Sequence, residues 1–202
     1  RDAPAMGWHI FFHDLLLQFN KDELEVVRLD QQRERAAFLS HFRGKFMIHK
    51  GSRIQALARR KDPEQNGSAP PELFHLRSTG NPIYTRCVQV PTSAALLNSA
   101  FCYLLNVPFD VRGDKGIIYS WIGSKAADFE ANLVQEIAQD FCKDKDDYSM
   151  MVLEEGAEPE NFFWIGIGGR KPYDKEAEYM NHARLFRCSN DKGYFSVIEK
   201  CH

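Results

Sequence analysis

Residues 100–142 read AFCYLLNVPFDVRGDKGIIYSWIGSKAADFEANLVQEIAQDFC, and this stretch decides the fold. A nearly continuous apolar run, Phe101-Cys102-Tyr103-Leu104-Leu105, leads through the loop Pro108–Lys115 into a second run, Ile117-Ile118-Tyr119-Ser120-Trp121-Ile122. The first run does not alternate, which predicts a strand covered on both faces. Asp114-Lys115-Gly116 predicts an antiparallel hairpin turn between the two. After Gly123 the period changes: Ala126, Leu133, Val134, Ile137 and Phe141 fall at helical spacing and predict a helix packed on those strands. At about 100° per residue, Glu130 projects near the middle of that stripe. A carboxylate there needs a cation, hydrogen-bond donors or a route to water; so near the helix start, simple access to solvent serves equally well. Glu130 is the one chemically odd position.

The 202 residues suffice for one domain of ordinary size with material left over. A hydrophobic content of 44% with 27% charged residues is that of a globular chain. The net charge of −2 lacks the footprint of a nucleic-acid binder, so no nucleic-acid partner is expected. No apolar run approaches the ~20 residues of a membrane span, and the start carries no signal-peptide pattern. The chain begins at Arg1 and the pattern is interrupted at both ends, so a piece of a longer protein is expected. Five widely spaced cysteines, two of them inside apolar runs, predict buried free thiols in a reducing compartment. The histidines do not join them at zinc spacing; Cys201-His202 is a lone adjacent pair.

Upstream, residues 6–19 carry a helical stripe, Leu24–Leu29 a strand candidate, Arg33–Phe42 a short helix and Phe46–His49 a strand. From Ser52 to Pro71 the composition turns basic and then Gly/Ser/Pro-rich, a linker signature. Leu73–Arg77 and Tyr84–Val90 follow as strands. Beyond the central stretch come the acidic loop at Asp144, a strand at Met150–Leu153, a short helix begun by Pro159, and two strands, Leu185–Ser189 and Tyr194–Ile198.

An internal repeat orders these pieces. Glu34, Phe38-Leu39 and Gly44 recur 124 residues on as Glu158, Phe162-Phe163 and Gly168, and Leu73-Phe74 recurs 112 on as Leu185-Phe186. The chain therefore divides into 1–53, the C-terminal part of one repeat; 54–72, a linker; 73–183, a complete repeat; and 184–202, the first strands of the next. The complete unit reads β-β-β-β-α-β-α, an α+β layered domain.

Leu97-Asn98-Ser99, Tyr119-Ser120-Trp121-Ile122-Gly123, Glu155-Gly156-Ala157-Glu158-Pro159 and Leu185-Phe186-Arg187-Cys188-Ser189-Asn190, in this order, resemble the gelsolin/villin superfamily. The strings at 38–53, 96–109 and 160–190 are similar to one branch of it, whose members also carry leucine-rich repeats and are linked to nuclear-receptor coactivation. The resemblance covers nearly the whole chain and places 1–53, 73–183 and 184–202 in the fourth, fifth and sixth gelsolin-like repeats. It implies a central mixed sheet between a long helix (about 125–142) and a short one (about 159–166). It further implies a cytoplasmic, cytoskeletal protein that binds, caps or severs actin filaments, often under calcium control, with flanking repeats of the same chain as partners.

The resemblance also implies an in-domain calcium site, built from an acidic residue on the strand after Leu-Asn-Ser and a Glu near the start of the long helix. Glu130 matches the helix Glu. The strand positions after Ser99 are Ala100 and Phe101, so the partner is missing, and one carboxylate with backbone carbonyls should bind calcium weakly or not at all. Between Ala3 and His13 the preceding repeat has no acidic residue either. Less calcium dependence than in gelsolin is expected.

Other chemistry fits poorly. Gly166-Ile167-Gly168-Gly169-Arg170-Lys171 lacks the ending of a phosphate loop and reads as a turn after a helix. The acidic loop starting at Asp144, with Asp146 and, eleven residues after its start, Glu155, has the outer spacing of a calcium-binding EF-hand loop, but Tyr148 and Ser149 stand where a ligand and Gly belong. No nucleophile–base set has a local signature, the tryptophans lie in core-like stretches, and no enzyme is expected. Two readings stand: an actin-severing or capping machine, and an interaction scaffold that binds other proteins, nuclear-receptor or other regulatory proteins in the nucleus among them. No actin-contacting residue is assigned.

Overall fold

The computed structural model describes residues 8–18, 27, 29, 33–51, 69–78, 80–143, 145–176, 185–189 and 196–199. Its elements are α1 (Trp8–Gln18), α2 (Ala36–Ser40), β1 (Phe46–Ile48), β2 (Glu72–Arg77), β3 (Arg86–Val90), β4 (Cys102–Pro108), β5 (Lys115–Ile122), α3 (Asp128–Cys142), β6 (Asp147–Glu154), α4 (Phe162–Gly166), β7 (Phe186–Ser189) and β8 (Ser196–Glu199). Single 3-10 turns occupy Pro82–Tyr84 and Ala94–Leu96. The order from β2 to α4 is the expected β-β-β-β-α-β-α.

β4 and β5 pair antiparallel from Cys102↔Ile122 to Pro108↔Gly116 at the heart of a mixed six-stranded sheet, ordered β1-β3-β2-β4-β5-β6. Alternation of the strand side chains makes two layers. Cys102 and Leu104 face the long helix with Phe74, Leu76 and Ile118, where Leu133, Val134, Ile137 and Ala138 of α3 close the layer. Tyr103, Leu105 and Val107 face the other way with Tyr119 and Trp121, under Phe163, Trp164 and Ile167. Each fully buried large side chain here stabilises by about 1.5–3 kcal/mol. The α+β sheet between a long and a short helix is as expected.

Local boundaries differ from the expectation for identifiable reasons. Lys115 and Gly116 extend the ladder of β5, and the hairpin loop is 109–114, where Asp110 Oδ1 accepts the N–H groups of Asp114 (2.9 Å) and Lys115 (3.1 Å). Tyr84 is not in a strand: Asn81 caps a 3-10 turn by accepting Ile83 N–H, and β3 starts at Arg86. Pro159 does not begin the short helix, because Glu158 is tied into the preceding turn and α4 starts at Phe162.

The sheet also crosses the boundary expected at residue 53. β1, assigned to the preceding repeat, pairs parallel with β3 through Phe46↔Arg86, Met47↔Cys87 and Ile48↔Val88. Most of the 54–72 stretch, most of the 24–29 strand candidate and all of Cys201-His202 lie outside the described residues. β7 and β8 form a separate antiparallel pair. Cys87 and Cys102 are buried free thiols. No helix among the described residues is long and apolar enough to cross a membrane.

Candidate functional site

Glu130 lies on the first turn of α3, three residues after the N-cap Ala127. Its half-buried carboxyl is pushed above the ordinary value by desolvation, against which the Ser78 hydroxyl and the Ala127 N–H act as donors. Accepting the N-cap N–H from the third helical position is one half of a capping box, made here without a Ser or Thr at the N-cap. The partner of Glu130 is thus a pair of neutral donors. Ser78 is itself fixed, its hydroxyl oxygen meeting Gly80 N–H (3.0 Å) and the Thr85 hydroxyl (3.2 Å). The Cys102 thiol lies on the same side, raised to about 12 by burial and then by the Glu130 charge.

Calcium selects six to eight oxygens with several carboxylates. This corner offers one carboxylate already accepting from two donors, one hydroxyl and a thiol. Ala100 is buried with its N–H on Asn98 Oδ1 (2.8 Å), and Phe101 packs in the opposite layer against His75. The donor set does not fit the ion. Among the described residues no three His, Cys, Asp or Glu side chains come together. Because Gln keeps the capping acceptor, Glu130→Gln is expected to cost less than about 1 kcal/mol in urea unfolding. Calorimetry on the same pair of proteins is expected to find no micromolar calcium site; one that the substitution abolishes would reverse this conclusion.

The motifs that carried the resemblance converge at the same end of β4 and β5, around the residues that precede Cys102 and follow Ile122. Asn98 bridges Asp174, and Ser99 N–H donates to Asp174 O (3.1 Å). The Ser99 hydroxyl donates to Glu155 Oε1 (2.7 Å), and Ser124 N–H to Glu155 Oε2 (2.9 Å). Burial raises the Glu155 carboxyl, but these donors with the Ser124 and Tyr173 hydroxyls outweigh it and hold the group below its ordinary value. Glu158 Oε1 accepts the buried Trp121 Nε1–H (2.8 Å) and Gly156 N–H (3.1 Å). The Leu-Asn-Ser, Trp-Ile-Gly and Glu-Gly-Ala-Glu-Pro segments are therefore one hydrogen-bonded clamp. Sequence reasoning picked out these motifs without finding their mutual contacts, which join residues 31 to 56 apart.

The two outer faces of the module differ. α3 turns Asp128, Asn132, Glu136, Gln139 and Asp140 outward. The α4 side exposes Phe109 (54%), Phe162 (52%) and Ile165 (75%), with the two phenylalanine rings 5.3 Å apart. Gly168 and Gly169, both at positive φ, make the turn after α4, and Arg170 folds back over the Trp164 ring at 4.7 Å.

No protein-family model matches the chain. Among curated proteins it is 50% identical over 206 residues to "Protein flightless-1" of Drosophila melanogaster, covering 100% of this chain and 16% of that protein. It is 47% identical over 204 residues to "Protein flightless-1 homolog" of Homo sapiens, again over the whole chain and 15% of the relative. "Villin-1" of Oryza sativa subsp. indica is 28% identical over 89% of the chain and 20% of its own length. The chain thus spans about one sixth of the flightless-1 proteins. The structure titled "Crystal Structure of the Thorarchaeota 2DGel3/rabbit actin complex" overlaps with a TM-score of 0.39 at 24% identity, covering 46% of this chain and 43% of that one. Similar to flightless-1 along its whole length and to villin along most of it, the chain belongs to the gelsolin/villin superfamily.

Proposed function

We propose that this chain is an actin-binding segment of a filament-remodelling protein that binds, caps or severs actin with weakened calcium dependence. The similarity to flightless-1 supports this most: identity at half of all positions exceeds what the buried core among the described residues can account for, so positions outside that core are shared as well. The donor-poor corner at Glu130 supports the weakened calcium dependence. The role is that of a cytoplasmic, cytoskeletal binding module rather than an enzyme, acting beside other repeats that raise its effective concentration on the filament.

A second reading, a scaffold for nuclear-receptor or other regulatory proteins in the nucleus, draws support from the apolar Phe109, Phe162 and Ile165 on the α4 side, a composition suited to protein contacts. Co-sedimentation of the 202-residue chain with filamentous actin separates the two. Pelleting with actin to a similar extent in chelator and in saturating calcium is the expected result. No pelleting in either would sink direct filament binding by this segment and leave the scaffold.

A further inference from the structure

We propose that residues 33–51 are a docking unit, the short helix and following strand of one repeat, locked onto the next module by a charge code that the second repeat junction does not carry. The repeat makes the two junctions comparable. Gly44 and Gly168, 124 residues apart, have φ of 84° and 86°, and the equivalent Leu39 and Phe163 are both buried under short helices. Glu158 is turned inward to Trp121. Its counterpart Glu34 instead meets Arg86 of β3 at 3.3 Å, where the two side chains are only 11% and 15% exposed.

Further contacts follow along the same segment. A Cβ on Gly44 would lie 3.0 Å from both the Leu133 side chain and Pro82 O, so only glycine lets the turn after α2 sit this close to α3. Lys45 Nζ reaches Asp140 (2.8 Å) and Glu136 (3.2 Å) on α3. β1 then extends the sheet, and Lys50 N–H donates to Gln89 Oε1 (2.7 Å).

At the second junction the partners are absent from the sequence. The position equivalent to Lys45 is Gly169, and Arg170-Lys171-Pro172 stand for Phe46-Met47-Ile48. Pro172 has no N–H to give a ladder. The pairings Phe74↔Gln89 and Phe186↔Glu199 make Ser196 the counterpart of Arg86. The cations Lys45 and Arg86 and the added strand thus belong to the first junction, while the second keeps only the acid, Glu158, turned to Trp121. Opening of 33–51 as a unit would free the β3 edge and the Leu133 flank of α3, and its equilibrium is set by the ion pairs.

Hydrogen exchange on the full chain tests this. Glu34→Gln and Arg86→Gln are each expected to speed exchange across 36–48 roughly tenfold, with 102–108 and 117–122 unchanged, and the double variant no faster than the singles. Lys45→Gln, at a more exposed pair, is expected to give about two- to fivefold, lost in high salt. It decides alone if the buried variants fail to fold. Unaltered exchange at 36–48, additive effects in the double variant, or core amides accelerating in step would each overturn the proposal.

Discussion

Gly123→Ala is expected to lower the stability of the chain by about 3 kcal/mol, the upper range for forcing an added methyl into packed structure. A Cβ on Gly123 would lie 2.3 Å from Ser99 O, 2.6 Å from Ser99 C and 2.8 Å from Phe101 O, all of them backbone. Neither segment can retreat without loss, because Gly123 N–H donates to Phe101 O (3.1 Å) and Lys125 N–H to Ser99 O (2.8 Å). Moving Ser99 would also draw its hydroxyl off Glu155. Gly156→Ala is the control. It sits in the same clamp at φ 90° with nothing within 4 Å, so backbone strain of about 1 kcal/mol is its whole cost. For a chain of this size these figures correspond to falls in Tm of roughly 6–12 °C and 2–4 °C. Equal shifts for the two variants would mean that the close approach at Ser99 does not hold the clamp together.

That difference between the glycines marks how far the sequence could be read. The sheet core was legible because burial on both faces leaves unbroken apolar runs: Cys102–Leu105 and Ile117–Ile122 fall on β4 and β5, and the stripe Leu133, Val134, Ile137 on the inner face of α3. The place of β1 was not legible. A basic, Gly/Pro-rich stretch after it has the composition of a linker, and composition does not say whether the chain returns to the same sheet. Glu130 could be singled out by angle alone, yet its role as a cap was hidden because Ala127 stands where a Ser or Thr would have announced a capping box. Glu155 and Glu158 looked like ordinary turn carboxylates. Only the fold brings Ser99, Ser124 and Trp121 to them, and no local pattern encodes a contact over such spans.

His75 was missed for a related reason and carries the second large effect, acid destabilisation. In Leu73-Phe74-His75-Leu76 it points into the short-helix layer, stacked on Tyr103 at 4.7 Å and tilted against Phe101 at 4.8 Å. Arg77 Nε donates to its Nδ1 (3.3 Å), which leaves the proton on Nε2, buried with no hydrogen-bond partner among the described residues. Desolvation first, then the Arg77 charge, lowers its pKa from 6.5 to about 3. Above pH 6.5 the imidazole is neutral in folded and unfolded chains alike and favours neither. Below that the unfolded chain takes up a proton that the folded one refuses, so stability falls steadily as pH drops towards 3. At pH 5 the loss is about 2 kcal/mol. Glu155, depressed below its ordinary 4.5, adds a loss of the same sign only at lower pH, and Glu130, raised by burial, acts with the opposite sign; both are kept in His75→Phe, so the difference between the two proteins from pH 7 to 5 isolates the histidine. Urea unfolding of the unaltered chain should lose that 2 kcal/mol over this interval. His75→Phe, which keeps a ring between Phe101 and Tyr103 and removes the stranded N–H, should lose little. Parallel decline of both proteins would mean that the acid-sensitive group lies elsewhere.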